Sequence, residues 1–365
     1  MRAFIIGRPY HLFNAINFVN TFHVEGDAFI LNDYKNALRD YEKLKIANIF
    51  RKVFFVEDES IRNKSFINNI FYIIKRAIFP MRFVIDNIPH SKISIKDVLE
   101  YDIIYSATPN SFVLALLDVT KSDYYVIEDG ASTYTGKDFL QNHSFKHKIY
   151  CKIFKKGMEN IKVKGVYVYS PKICKSLISN NILQLPTINA NDKILLDDYN
   201  KVFLTKNEKY RRNFIFLSQR LLGFKNLNFS LIDFVSEIFK DAKIKNYCYR
   251  LHPSEVVENL PINDTNMLPN DMWELLCYEY VQSETVLMTI NSTAAFSPYK
   301  LYKKEPYLIF IYKVVGLSGT DLEISESLVK TLVENYKEPS KIFVPKDKEE
   351  VVNILKEIND IINHG

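Results

Sequence analysis

At 365 residues, 47% hydrophobic and 25% charged, the chain is long enough for two domains with sizeable cores and too apolar for wholesale disorder. Its 48 lysines and arginines against 43 acids leave a formal charge of +5, a mild excess that describes a Lys-rich surface and gives no sign of a nucleic-acid partner. Four scattered cysteines, Cys151, Cys174, Cys248 and Cys277, lack C-x-x-C spacing and support neither a zinc site nor a disulfide framework.

The chain opens on a short apolar strand, Ala3–Ile6, without the apolar length or cleavage site of a signal peptide. Further strand-like runs follow at Ala28–Leu31, Val53–Phe55, Ile103–Tyr105, Tyr124–Ile127 and Val166–Tyr169, with helix-like segments between several of them. The second half repeats the theme. Asn213–Leu217, Lys245–Leu251, Thr285–Thr289 and Tyr307–Ile311 read as strands; Ser230–Lys240, Met272–Val281, Thr293–Leu301 and Lys348–Asn363 read as helices. Such alternation predicts βαβ units on parallel sheets. Leu183–Arg212, polar and turn-rich, reads as an interdomain linker, and its Asp197-Asp198 pair reads as solvated. The expected domains are 1–200 and 201–365, two Rossmann-like α/β units whose strand ends face a central cleft. Ligands in such sheets bind beyond the carboxyl ends of the strands. No run is long and apolar enough to span a membrane, so a cytoplasmic location is expected.

Four segments place polar residues where a strand should end. Tyr124–Ile127 runs into Glu128-Asp129-Gly130: two adjacent carboxylates that project to opposite sides, then a glycine that permits a tight turn. The Arg250-Leu251-His252-Pro253 segment closes another strand on a histidine, a residue that acts as a general acid or phosphate partner near neutral pH. Glu274 sits in the first turn of a predicted helix, where a carboxylate accepts from hydroxyls and complements the helix dipole. Ser292-Thr293 caps another predicted helix, and free amides plus two hydroxyls make an anion site without a lysine. A G-x-x-x-x-G-K phosphate loop is absent.

In this order the segments resemble the motifs of the bacterial sialyltransferases: D/E-D/E-G at Glu128-Asp129-Gly130, H-P at His252-Pro253 and paired Ser/Thr at Ser292-Thr293. Trp273-Glu274-Leu275-Leu276 is similar to that group's ribose-binding glutamate segment. Gly7-Arg8-Pro9-Tyr10-His11-Leu12 is similar to the N-terminal loop of glycosyltransferase family 52, the lipooligosaccharide sialyltransferases. Family 38, the capsular polysialyltransferases, shares most of these motifs. The resemblance implies the two-domain GT-B fold and inverting transfer of sialic acid from CMP-N-acetylneuraminate without a metal or other cofactor. It implies an acidic base in the first motif, taken as Glu128 in preference to Asp129, with Asp129, Gly130, Tyr10 and His11 on the acceptor side. It implies that His252 assists the leaving phosphate, and that Arg250, Pro253, Glu274, Ser292 and Thr293 bind CMP.

The expected acceptor is a terminal galactose of lipooligosaccharide or capsule. A polysialyltransferase, another GT-B transferase of surface polysaccharide and a nucleotide-sugar-binding regulatory or assembly protein are the rival readings. The aromatic and basic stretches Ile70–Phe83 and His143–Lys164 suit a lipid-linked or polyanionic acceptor at the inner membrane face. Analogy with family 52 also points to a homodimer.

Overall fold

A computed structural model describes residues 1–57, 72, 74–89, 93–134, 161–174, 179–189, 191–203, 212–219, 231–252, 267–268 and 271–364. The chain divides into two compact units, Met1–Leu204 and Thr205–Gly365.

Among the described residues, the first unit carries seven parallel strands: β1 (Arg2–Ile6), β2 (Asp27–Leu31), β3 (Val53–Val56), β4 (Ile103–Ser106), β5 (Asp123–Ile127), β6 (Val163–Val168) and β7 (Ile182–Gln184). Their order is β3-β2-β1-β4-β5-β6-β7. The strands are near-continuous apolar runs because helices cover both faces of such a sheet. Chain order reverses between β1 and β4, and the segments after these two strands flank the ligand-binding end of the sheet. Helix α1 (Pro9–Phe22) begins there, two residues past Gly7, with Pro9 in its first turn, where a missing N–H costs nothing.

The segment expected to be a linker, Leu183–Arg212, is folded into this unit as far as Phe203. Ile182–Gln184 adds the edge strand, and Lys193–Phe203 forms helix α2, which packs on α1 with Leu195, Tyr199, Val202 and Phe203 buried. Phe13 and Tyr199 stack at 4.5 Å across that contact. Asp197 is solvated as expected, but Asp198 is largely buried, accepting from Asn20 Nδ2 at 3.2 Å and paired with Lys201.

The second unit carries β8 (Phe214–Leu217), β9 (Tyr247–Arg250), β10 (Val286–Thr289), β11 (Tyr307–Phe310) and β12 (Ile342–Phe343), all parallel, in the order β12-β11-β10-β8-β9. Order reverses between β8 and β10. Helix α3 (Trp273–Tyr280) precedes β10. The predicted helix over Thr293–Leu301 divides into a 3-10 turn, Thr293–Phe296, and a short helix α4 (Ser297–Tyr302). Phe216, Leu287, Leu308 and Ile309 fill the centre of this core, closed by α5 (Lys348–His364) through Val351 and Leu355.

Among the described residues no helix is long and apolar enough to cross a membrane. Of the two basic stretches, His143–Lys164 lies almost wholly outside the described residues. In the other, Ile78 and Phe79 are exposed while Lys75 and Arg82 both pair with Asp86.

Candidate functional site

The first site is the turn after β5. Gly130 adopts φ +107°, and a Cβ there would meet open space, so backbone conformation and not crowding calls for glycine. The turn leads into one helical turn, Ala131–Tyr134, braced by the Thr133 N–H on the Gly130 carbonyl and by Thr133 Oγ1, which accepts from the Asp129 N–H at 3.0 Å. That turn carries Tyr134 back over Glu128.

Glu128 and Asp129 face opposite ways, and their surroundings differ sharply. Glu128 is 0% exposed. Its Oε1 accepts from Tyr10 Oη at 2.8 Å; its Oε2 accepts from Tyr134 Oη and from the Tyr169 N–H at 3.0 Å. Asn14 Nδ2 donates to its backbone carbonyl at 2.9 Å, and Tyr169 Oη donates to Asn14 Oδ1 at 2.9 Å. Burial together with the Glu128 charge pushes the Tyr134 phenol well above its ordinary range. Three donors on a sealed carboxylate anchor a loop and leave no lone pair aimed at solvent. Of the two candidate carboxylates, Glu128 is thus sealed and Asp129 is the one that keeps some exposure.

The Asp129 side chain retains 17% of its exposure. His11 Nε2 lies 2.6 Å from its Oδ1, and the exposed Arg8 guanidinium lies 3.7 Å from the same oxygen. Among the described residues no donor reaches Oδ2. Tyr10, His11 and Asn14, all on the first turns of α1, thus grip the turn after β5 at three points. Beside them, Ile6, His11, Ser106, Ala107 and Ile127 line a small pocket at the β1–β4 reversal.

Asn14, Asn17, Tyr134 and Tyr169 were not singled out from the sequence. The signal existed for α1: Tyr10, Asn14, Asn17 and Thr21 recur at spacings of three and four along the helix. Asn17 Nδ2 bonds the Pro186 carbonyl at 2.7 Å and Tyr169 Oη at 3.3 Å, continuing the polar seam inward.

The second unit gathers Arg250, Glu274, Ser292 and Thr293 toward the carboxyl end of its sheet. Arg250 is buried and donates to the Asp271 carbonyl at 2.6 Å; desolvation lowers its guanidinium from the ordinary range, opposed by the Glu274 and Asp271 charges. Trp273 Nε1 donates to the Ala294 carbonyl at 2.8 Å, fastening the start of α3 to the Ser292-Thr293 turn, and Tyr302 Oη of α4 donates to the Glu274 carbonyl at 2.9 Å. Ser292 Oγ accepts from the Ala294 N–H at 3.3 Å, and Thr293 is exposed. Behind them, Thr289 Oγ1 donates to the Leu217 carbonyl and accepts from the Ser292 N–H. Gln219, absent from the sequence reading, accepts from the Asn291 N–H at 3.1 Å across the β8–β10 reversal. His252 lies two residues past β9 and is half-buried, whereas Pro253 lies outside the described residues. Among the described residues no group of three or more His, Cys, Asp or Glu side chains is placed to hold a metal.

No protein-family model matches the sequence, and the search of curated proteins finds no match. The fold does have counterparts among solved structures. Arabidopsis thaliana UGT89C1 complexed with quercetin superposes with a TM-score of 0.51 at 10% identity, over 98% of this chain and 89% of that one. The glycotransferase of kitacinnamycin gives 0.51 at 7%, over 98% and 90%. LpCGTa in complex with UDP gives 0.50 at 9%, over 98% and 89%. At such identities the likeness concerns the fold: two parallel-sheet α/β units, the GT-B architecture expected from the sequence.

Proposed function

We propose that the chain is an inverting glycosyltransferase that moves sialic acid from CMP-N-acetylneuraminate to a glycan hydroxyl without a metal ion. The observation that carries this reading is an outward carboxylate, Asp129, at the end of β5, with Oδ1 engaged by His11 and, among the described residues, no donor on Oδ2. It falls within the motif that resembles the sialyltransferases. Solved structures of like fold hold UDP or UDP-L-rhamnose, which supports a nucleotide-sugar donor in general.

In the proposed step Asp129 Oδ2 takes the proton of the acceptor hydroxyl. The acceptor oxygen forms its bond to the anomeric carbon as the bond from that carbon to the CMP phosphate oxygen breaks, and CMP departs with the electron pair. Charge accumulates on the leaving phosphate, where preorganised donors lower the barrier most. His252, Ser292 and Thr293 are assigned to that phosphate, Glu274 to the ribose hydroxyls and Arg250 to holding the Glu274 side of the site. Glu128 anchors the loop that presents the base.

Incubation with labelled CMP-sialic acid, with lactose or oligosialic acid as acceptor and EDTA present, tests the reading. The expected result is transfer that Asp129→Asn lowers by about 10³-fold, within the span usual for a positioned base. Transfer from UDP-sugars and none from CMP-sialic acid would keep the transferase and remove the sialyl assignment. A product lengthened only on oligosialic acid would make the enzyme a polysialyltransferase.

A further inference from the structure

The contacts of His11 bear on how this base is held, an inference that rests on the assignment of Asp129 above. His11 is almost fully buried on the first turn of α1, and both ring nitrogens are engaged. The Gly7 backbone N–H donates to Nδ1 at 3.3 Å, and Nε2 lies 2.6 Å from Asp129 Oδ1. A backbone amide can only donate, so Nδ1 must present its lone pair and the ring proton sits on Nε2. The alternative neutral tautomer would set two N–H groups against each other at Gly7 and two acceptors against each other at Asp129. An imidazolium would keep the carboxylate contact and oppose two donors at Gly7.

We infer that His11 is a positioning residue, locked by the Gly7 amide as the Nε2–H tautomer, whose donation to Oδ1 of Asp129 leaves Oδ2 as the oxygen that receives the acceptor proton. The ring is then no base itself, because its one lone pair is spent on Gly7 inside the protein. Tyr10 and Asn14, gripping Glu128 from the same helix, fix the height of His11 relative to the carboxylate. The arrangement needs Gly7, His11 and Asp129 together, and the first two flank the start of α1.

Two measurements test this. Glutamine carries an N–H to about the position of the ring Nε2, whereas asparagine carries one only to that of Nδ1. His11→Gln should keep kcat within about tenfold of the wild type. His11→Ala and His11→Asn should each lose about 100-fold, the scale set by a misplaced reacting group, with donor KM changed less than about twofold. Equal loss in the Gln and Ala variants, or full kcat in His11→Ala, would overturn the assignment. Separately, two-bond 1H–15N correlation spectra of the 15N-histidine-labelled wild type, with the His11 signals identified by their loss in His11→Gln, should show the Nε2–H pattern at neutral pH. An Nδ1–H or imidazolium pattern would overturn it whether or not any variant folds. Wild-type protein inactive with every donor would remove the transferase reading instead, and the ring pattern would still decide the tautomer.

Discussion

The two strand-end sites are built by opposite means. In the first unit, Glu128 and Asp129 are held by side chains that arrive from α1 and from the turn at Tyr134 and by the Tyr169 backbone N–H just past β6, over sequence separations reaching 118 residues. In the second, the Ser292-Thr293 turn is held by its own backbone, by the neighbouring Thr289 hydroxyl, by one tether to Trp273 of α3 and by one long-range bond from the preceding Asn291 N–H to Gln219. A network of long-range bonds on a sealed carboxylate preorganises one reacting group and leaves little for solvent. A turn with local caps keeps amides and hydroxyls at the surface, which suits a group that must grip and release a phosphate. Rigidity at Asp129 and openness at the Ser292-Thr293 turn are the division of labour that the proposed displacement would need.

The sharpest way to break this comparison separates the adjacent carboxylates. Glu128→Ala would strand three buried donors, each costing roughly 1–3 kcal/mol, so a loss of about 3–9 kcal/mol is expected in urea unfolding. Asp129→Asn should change stability by less than about 1 kcal/mol while removing transfer. If Glu128→Ala folded normally and lost only activity, the roles of the two residues would be exchanged. The next largest effect is expected for Tyr134→Phe, which removes one hydroxyl donor to Glu128 and should cost about 1.5–3 kcal/mol, the range for a bond to a charged group. Transfer by the folded fraction should persist, because the Asp129–His11 contact does not pass through Tyr134.

How far the sequence revealed these sites depends on the range of the forces that shape them. Strand ends were legible, because apolar runs such as Tyr124–Ile127 stop abruptly at polar residues, and the two-residue period put Glu128 and Asp129 on opposite faces. Which face is sealed was not legible: Tyr10 and Tyr169 decide it, and nothing local to Glu128 announces them. Leu183–Arg212 misled through its asparagines and aspartates. Yet Leu195, Tyr199 and Val202 carry helical spacing, and Asp198 turns inward because Asn20 of α1 is there to meet it. The two-residue β12 is too short to show any period, and it is recognised only by its pairing with β11. The helix predicted at Thr293 begins as a 3-10 turn, since Ser292 caps the amide of Ala294, two residues on.

Alkali offers a smaller, graded test of the contrast. Burial pushes the Cys248 thiol up to about 12 and the Tyr249 phenol likewise to about 12, both on β9 of the second unit. In the first unit, burial and the Glu128 charge hold Tyr134, and burial and Asp27 hold Tyr101, above their ordinary range. A group whose folded pKa lies above its unfolded value stabilises the fold fully below the unfolded value, and that contribution fades as pH rises toward the folded one. For Cys248 the window runs from about 9 to about 12. Stability measured by urea should fall by about 1 kcal/mol between pH 8 and pH 10 through this thiol alone, and Cys248→Ala should flatten that part of the curve.

The smallest expected effect tests the open side of the comparison directly. Ser292 Oγ meets the Ala294 N–H at 3.3 Å over a separation of two residues, a local cap whose loss should cost about 0.5–1 kcal/mol in Ser292→Ala. That is well below the cost of Tyr134→Phe, because the freed amide is near the surface and water can replace the hydroxyl. The same change should raise the KM for the donor several-fold and leave the His11–Asp129 geometry, and hence proton removal, untouched. The two quantities therefore part company at this residue, stability hardly moving while donor affinity falls. A Ser292→Ala variant as unstable as Tyr134→Phe would mean that the turn is as deeply braced as the first site, and the contrast drawn between the two units would fail.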